Sequence, residues 1–186
     1  MPLIHLSGPT EEPVTLAEAR AQLRLDGTEE DALVVALIAA ARAAIEAETR
    51  RVLTMQGWRL TLDAWPDGPL MLPLAPVSAV TALTVAAGDG APQTVDAALY
   101  ETALAGDAPR LLAKPGMSLP QPATRLDGIA IDFTAGYGAA GDVPPPLKQA
   151  LLLLLAQWFE DREAAAVRGL PPMVVALLAP WRRVRL

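Results

Sequence analysis

Cysteine is absent from the 186 residues, and histidine occurs once, as His5. The lack of cysteine excludes disulfides, thiolate metal sites and cysteine nucleophiles. A single histidine also excludes a zinc site built from several histidines. A Ser-His-Asp site would depend on His5, which lies in a proline-flanked N-terminal segment and which we interpret as an ordinary residue of that segment. Catalysis would therefore need carboxylate, lysine or arginine side chains.

Aromatic residues and basic charge are also scarce. The chain has only four Trp, two Tyr and two Phe, so aliphatic side chains must fill most of the core. For the same reason we do not expect stacking on nucleic-acid bases to be its main activity. Lys and Arg total 15 against 21 Asp and Glu, a net charge of −6, which argues against broad binding of nucleic-acid phosphates. Residues 11–48 carry this whole excess, with nine acids and three arginines.

Long apolar runs are missing too. The leucine-rich stretch of residues 147–159 is shorter than the about 20 residues that a membrane-spanning helix needs. The N-terminus has no basic segment followed by an apolar stretch, so we expect no secretion signal. We expect the protein to be synthesised in a cytoplasm. At 52% hydrophobic and 19% charged residues, the composition is typical of a globular protein of one domain or two small ones.

Proline and glycine divide the chain into three parts. Residues 14–56 contain one glycine and no proline, residues 57–146 contain twelve prolines and ten glycines, and residues 147–168 contain neither. This distribution predicts helical ends around a turn-rich middle, which is an α+β fold class.

Capping patterns predict two helices in the first part. Thr15 and Glu18 have the spacing of a capping box, which would open a helix that continues to Leu25. Thr28, three residues before Asp31, predicts a second cap. A long helix with one apolar face should follow, to about residue 51.

The middle part changes to a two-residue period. Trp58, Leu60 and Leu62 alternate with polar residues, as in a half-buried strand. Residues 101–127 are weakly patterned, and we interpret them as loop-rich. Further strands of a small antiparallel sheet are predicted over residues 70–74, 79–85, 93–96 and 129–133, with a hairpin turn at 88–90.

The third part predicts a helix from Pro146 to about residue 166. Residues 147–159 are apolar on most sides, with Lys148, Gln149 and Gln157 as the polar residues, so protein must cover most of this helix. A neighbouring subunit is one source of that cover. The candidate subunit-packing residues are Leu151, Leu152, Leu154, Leu155 and Trp158.

Three segments contain residue types that catalysis or ligand binding uses. The acids of residues 26–31 lack the alternating ligand spacing of a calcium loop, and we interpret them as a turn between helices. Glu160 and Glu163 share a helix face and could act as an acid–base pair, or simply lie at a solvated helix end. Residues 136–138 lack the spacing of a phosphate loop. We assign no catalytic, cofactor or metal site.

The C-terminus combines a tryptophan, three arginines and alternating apolar residues. A large apolar ring and forked guanidinium donors favour docking to a protein partner. A tail packed on its own domain and a contact with DNA are the alternatives. The candidate docking residues are Trp181, Arg182, Arg183, Val184, Arg185 and Leu186.

From about residue 14 to the end, the chain resembles the head-tail connector (adaptor) proteins of long-tailed bacteriophages and gene transfer agents. The order, spacing and total length of several short motifs carry the resemblance. They are Val14–Leu25, the helix opening Glu29–Leu33, Trp58–Pro66, Phe133–Gly138, and Val143–Leu151 leading to Trp158 and Arg162.

The resemblance implies a small helical bundle, made of an N-terminal helix pair and a C-terminal helix, with a β-rich insertion and an extended C-terminal tail. It implies no enzyme activity and no cofactor. It also implies a homo-oligomeric ring, which we expect to be twelvefold, at the neck of a virion or phage-like particle. The implied domains are residues 1–56 and 143–179 for the bundle, 57–142 for the insertion and 180–186 for the tail.

The implied partners are the portal protein and the next neck protein (a stopper) or the tail, with no membrane. DNA would pass through the channel without specific binding. In related connectors the C-terminal segment engages the portal, which implies that role for residues 181–186. The acids of residues 11–48 would face the channel or a basic partner, or form ordinary solvated helix faces. Another neck component, a carboxylate-based metal-dependent hydrolase and a regulatory binding module are the alternative functions.

Overall fold

The structure is a computed structural model and describes residues 2–124, 126–161 and 169–182. The chain forms two compact units. The β unit comprises Met1–Pro9 and Met55–Gly136, and the helical unit comprises Thr10–Thr54 and Tyr137–Leu186. This α+β architecture confirms the predicted fold class.

Four helices form the described part of the helical unit. Their bounds are Leu16–Leu23 (α1), Asp31–Thr49 (α2), Pro145–Glu160 (α3) and Pro172–Leu178 (α4), and short 3-10 turns occupy Ala140–Asp142 and Ala179–Trp181. Helix α3 begins within one residue of the predicted start because prolines suit the first helical turn. The predicted continuation to residue 166 lies outside the described residues.

The first predicted cap is confirmed and the second is wrong. The backbone N–H of Glu18 donates to Thr15 Oγ1 at 3.1 Å, and the backbone N–H of Thr15 donates to Glu18 Oε2 at 2.6 Å, which is a complete capping box. Helix α2 instead has Glu30 at its N-cap, without a side-chain cap. The N–H of Asp31 bonds to the backbone carbonyl of Thr28 at 3.2 Å, so a main-chain turn replaces the predicted hydroxyl cap.

We predict that Thr15→Ala lowers the free energy of unfolding by about 1 kcal/mol, since the cap hydroxyl satisfies a free helical N–H. The hydrogen bonds from Thr15 lower the pKa of Glu18. Their contribution is therefore present above the ordinary pKa of glutamate and is lost as the pH falls through the lowered folded-state pKa. Chemical denaturation at neutral and acidic pH measures both effects.

Thr28→Ala is the matched control for this prediction. It removes the same hydroxyl from an exposed position where that hydroxyl caps no helix, and it should change stability by less than about 0.5 kcal/mol. Equal losses in the two variants would show that the capping box does not stabilise α1.

One apolar cluster forms the core of the helical unit. Val34, Ile38, Ala41 and Ile45 recur at spacings of three and four on α2, so they share one buried face. Helix α3 packs against α1, α2 and α4. Its buried residues in this core are Leu147, Ala150, Leu151, Leu154 and Leu155.

Two antiparallel sheets form the β unit. The strands are Leu3–Ser7 (β1), Gln56–Leu62 (β2), Leu70–Met71 (β3), Val77–Ala86 (β4), Pro92–Thr94 (β5), Tyr100–Ala103 (β6), Arg110–Ala113 (β7) and Ile129–Ala135 (β8). Their order is β1-β2-β8-β4-β5 in one sheet and β3-β7-β6 in the other. Leu60, Ile131 and Leu83 are in register across three strands and are all buried.

The structure differs from the sequence-based expectations at four strands and at the domain bounds. Strands β1, β6 and β7 were not predicted, and the expected strand over residues 70–74 covers only Leu70–Met71. Residues 1–9, expected in the bundle, belong to the β unit because β1 pairs with β2. Residues 137–142, expected in the insertion, belong to the helical unit.

Candidate functional site

The C-terminal segment is attached to the helical unit through Arg51. The Nε of Arg51 donates to the backbone carbonyl of Trp181 at 2.7 Å, and its Nη1 donates to the hydroxyl of Tyr137 at 3.0 Å. The guanidinium carbon lies 5.4 Å from the centre of the Trp181 ring, within cation–π distance. Tyr137 meets the same ring edge-on, with the ring centroids 6.4 Å apart. We call these three residues the arginine clamp.

Local backbone features bring the clamp residues together. Arg50 ends α2 in the left-handed conformation, with φ of 57°, and the chain turns there toward Arg51. The backbone N–H of Arg51 donates to Thr49 Oγ1 at 3.2 Å. Tyr137 donates its backbone N–H to the carbonyl of Leu53 at 3.1 Å. Arg51 is consequently only 6% exposed, although it lies one residue after a surface arginine.

The first two residues of the predicted docking tail already have partners in the helical unit. Trp181 is partly buried against the apolar core, and Arg182 forms an ion pair with Glu48. The structure therefore places Trp181 and Arg182 at the attachment point of the tail. The other predicted docking residues, Arg183, Val184, Arg185 and Leu186, lie outside the described residues.

The structure corrects part of the predicted subunit-packing set. Leu151, Leu154 and Leu155 are completely buried in the core of their own chain, so they have no surface left to offer a neighbour. The prediction of direct subunit contact is wrong for these three. Leu152 and Trp158 keep partly exposed side chains that also pack against the core.

The acids of residues 11–48 mostly serve the fold. Arg42 Nε pairs with Glu12 at 2.8 Å, and its Nη1 pairs with Glu46 at 2.9 Å. Burial alone would lower the pKa of Arg42, but these two carboxylates raise it above its ordinary value. Glu11 accepts a hydrogen bond from the backbone N–H of Ala140 at 2.8 Å.

No arrangement typical of a catalytic centre occurs in the described parts of the chain. Arg20 donates to the carbonyl of Asp26 at 3.2 Å and lies 3.6 Å from Asp31, so the acidic turn of residues 26–31 is held by a cation of its own unit. No three His, Asp or Glu side chains of the described ranges come together as metal ligands would. Glu160 is exposed at the end of α3, and its predicted partner Glu163 lies outside the described residues.

The turn at residues 136–138 and a cleft in the β unit show no feature of a ligand site either. Gly138, with φ of 134°, makes a strand-end turn in which a Cβ would meet the carboxylate of Asp142. A cleft in the β unit is lined by Trp65, Leu70, Leu111, Gln121 and neighbouring residues without any charged side chain. Among the described helices, none has the length and apolar character needed to span a bilayer.

Comparisons with known proteins identify the family. The family model described as Phage gp6-like head-tail connector protein matches residues 13–90. Comparison with curated protein sequences gave no match.

Solved structures match over the complete chain. A chain of the "Neck of empty GTA particle computed with C6 symmetry" is 37% identical, with a TM-score of 0.87. A chain of the "Virion of native gene transfer agent (GTA) particle" is 36% identical, with a TM-score of 0.83. A chain of the "Neck of native GTA particle computed with C12 symmetry" is 34% identical, with a TM-score of 0.84. Each alignment covers 100% of this chain and 97% of the other chain.

These matches combine sequence identity above 30% with the same fold from end to end. The chain belongs to the phage gp6-like head-tail connector family, which is a family of structural proteins and not of enzymes.

Proposed function

We propose that this protein is an adaptor of the particle neck. Twelve copies of the chain form a ring between the portal protein and the next neck protein or tail. The observation that carries this proposal is the whole-chain similarity to chains of GTA necks reconstructed with C6 and C12 symmetry, in which one chain recurs around an axis.

The charge of the protein fits a channel through which DNA passes without being held. Phosphate binding needs clustered lysine and arginine, and it would slow a moving duplex. Residues 11–48 carry a net charge of −6, and two of their three arginines, Arg20 and Arg42, are paired with carboxylates of the same unit. We propose that this acidic surface faces the channel or a basic surface of a neighbouring neck protein.

The C-terminal tail is the segment that we assign to portal docking. Trp181 and Arg182 anchor it through the arginine clamp and the pair with Glu48. Arg183, Val184, Arg185 and Leu186 follow this anchor and supply two guanidinium groups and two apolar side chains. Such a peptide suits a partner groove that offers carboxylates and apolar pockets.

Deleting residues 183–186 tests this assignment. The deletion leaves every contact of the clamp in place, so the purified protein should keep its unfolding midpoint. Particles carrying the truncated protein should be filled heads without tails, counted by electron microscopy. Arg183→Lys with Arg185→Lys is the matched control, because it keeps the charges and the length and should preserve part of the attachment. A normal yield of tailed particles from the deletion would refute the docking role.

A further inference from the structure

The dipeptide Asp-Gly occurs four times in the chain, at residues 26–27, 67–68, 89–90 and 127–128. An aspartate in this dipeptide is open to spontaneous isomerisation, because the backbone nitrogen of a glycine approaches the preceding carboxyl group without hindrance from a Cβ atom. The reaction needs a free carboxyl group, a free backbone N–H and a loop that can change its backbone angles. The structure distinguishes the four pairs by these requirements.

The pair Asp127-Gly128 is held by its surroundings. Asp127 accepts a hydrogen bond from Thr61 Oγ1 at 2.7 Å, and its backbone N–H donates to Asp63 Oδ1 at 2.8 Å. A Cβ atom at Gly128 would lie 2.5 Å from Pro122 Cβ, so the space beside this glycine is filled. Rearrangement of the main chain here would break both hydrogen bonds.

The pair Asp26-Gly27 is also restrained. The backbone carbonyl of Asp26 accepts a hydrogen bond from Arg20 at 3.2 Å. The carboxylate of Glu29 occupies the space in which a Cβ of Gly27 would lie. This acidic turn therefore has neither a free main chain nor an open glycine.

The pair Asp89-Gly90 is exposed at a hairpin turn, but both of its reacting groups are hydrogen-bonded. The backbone N–H of Ala91 donates to Asp89 Oδ1 at 2.9 Å. The N–H of Gly90 donates to the carbonyl of Ala87, also at 2.9 Å. Attack of the Gly90 nitrogen on the carboxyl carbon would have to break these turn bonds first.

The pair Asp67-Gly68 lies in the loop between β2 and β3 and differs from the other three. Within the described ranges, neither the Asp67 carboxylate nor the N–H of Gly68 has a hydrogen bond or an ion pair. The second residue after Asp67 is Pro69, which lacks the N–H that Ala91 supplies to Asp89. Residues 66–69 are all exposed, and a Cβ atom at Gly68 would meet nothing within 4 Å.

We propose that Asp67 isomerises spontaneously to isoaspartate. The backbone nitrogen of Gly68 attacks the side-chain carboxyl carbon of Asp67 and forms an N–C bond, while the proton of the nitrogen and the hydroxyl of the protonated carboxyl group leave as water. Water then adds to the main-chain carbonyl carbon of the five-membered imide and breaks its bond to nitrogen, which takes up a proton. One water leaves and one enters, so the reaction needs no oxidant, reductant or further reactant.

The product inserts one carbon atom into the main chain at the rim of the cleft in the β unit, which Pro66 and Gly68 line. The buried Leu62 and Leu70 lie at the ends of β2 and β3 that bound this loop, so we expect the strands to keep their pairing. A structural protein is not renewed after its particle has assembled. The isoaspartate form should therefore accumulate with the age of the particle.

Ageing the full-length protein in mildly acidic water labelled with a heavy oxygen isotope tests this inference. Each passage through the imide adds one heavy oxygen atom, and electron-transfer fragmentation in a mass spectrometer assigns isoaspartate to a position in the chain. Isoaspartate should form at Asp67 at least about fivefold faster than at Asp26, Asp89 or Asp127, where contacts must open first. In guanidinium chloride, which removes these contacts, the four rates should come close together.

Two variants are matched controls. Asp67→Glu keeps the charge but would need a larger, six-membered imide, and Gly68→Ala places a methyl group beside the attacking nitrogen where the structure has room for it. Each should keep the wild-type unfolding midpoint and slow the reaction about tenfold or more. Isoaspartate that forms in the folded protein no faster at Asp67 than at Asp89, or at an unchanged rate in Gly68→Ala, would overturn the inference. Either result would leave the adaptor role standing, since that role does not depend on this reaction.

Discussion

Leu154→Ala is expected to lower the free energy of unfolding by about 3 kcal/mol, through lost burial and the cavity that the smaller side chain leaves. Leu154 is fully buried on α3 in the core that α3 shares with α2. The measurement is denaturant unfolding followed by far-ultraviolet circular dichroism, which reports on the helices of this unit. Because the helical unit carries the anchor of the tail, the variant should also assemble poorly at elevated temperature.

Leu152→Ala is the matched control, with the same substitution two residues away on the same helix. Leu152 is only partly buried, so its replacement should cost less than about 1 kcal/mol in the isolated protein. We propose that Leu152 and Trp158 contribute to subunit packing, and Leu152→Ala should then lower the amount of protein per particle more than it lowers stability. A loss at Leu154 as small as that at Leu152 would contradict the buried position of Leu154.

The helices were predictable because their signals are local. Thr15 and Glu18 form the expected capping box, and the apolar spacing of α2 gives the face that is buried. The predicted cap at Thr28 is wrong because the N–H of Asp31 donates to the backbone carbonyl of Thr28 and not to its hydroxyl. Capping patterns identify a place where a helix can start, but main-chain turns compete for the same donors.

The missed strands have no two-residue pattern to detect. Strand β1 is an edge strand whose residues after Leu3 are all exposed, so neither of its faces is marked by burial. Strands β6 and β7 have only four residues each. Their hydrogen bonds depend on distant partners, and pairing of this kind is set by tertiary context rather than by the segment itself.

The apolar run of α3 was correctly expected to be covered, but the sequence does not say by what. Cover for Leu151, Leu154 and Leu155 comes from the same chain, mainly from α1, α2 and α4. These elements are remote in sequence, so helix periodicity alone does not reveal their contribution.

The arginine clamp was also missed in the sequence, where Arg50 and Arg51 look like two solvated residues at a helix end. Arg51→Met should lower the free energy of unfolding by about 2–4 kcal/mol. It keeps an apolar stem of similar length but removes both donors, and it leaves the Trp181 carbonyl and the Tyr137 hydroxyl without these bonds. Arg51→Lys should be intermediate, because one ammonium lacks the planar fork that reaches two separate acceptors.

Arg50→Met provides the control, since the same replacement at the exposed neighbouring position should change stability by less than about 0.5 kcal/mol.

A second measurement separates anchoring of the tail from the general stability of the helical unit. Trypsin should cleave after Arg182 faster in the Arg51→Met protein under native conditions, because the clamp no longer holds Trp181. If the tail must leave the helical unit from a fixed position in order to dock on the portal, the Arg51→Met variant should also produce fewer tailed particles. This should hold at temperatures where its helical unit remains folded. Wild-type cleavage and tail attachment in the folded Arg51→Met protein would show that the clamp stabilises the unit without positioning the tail.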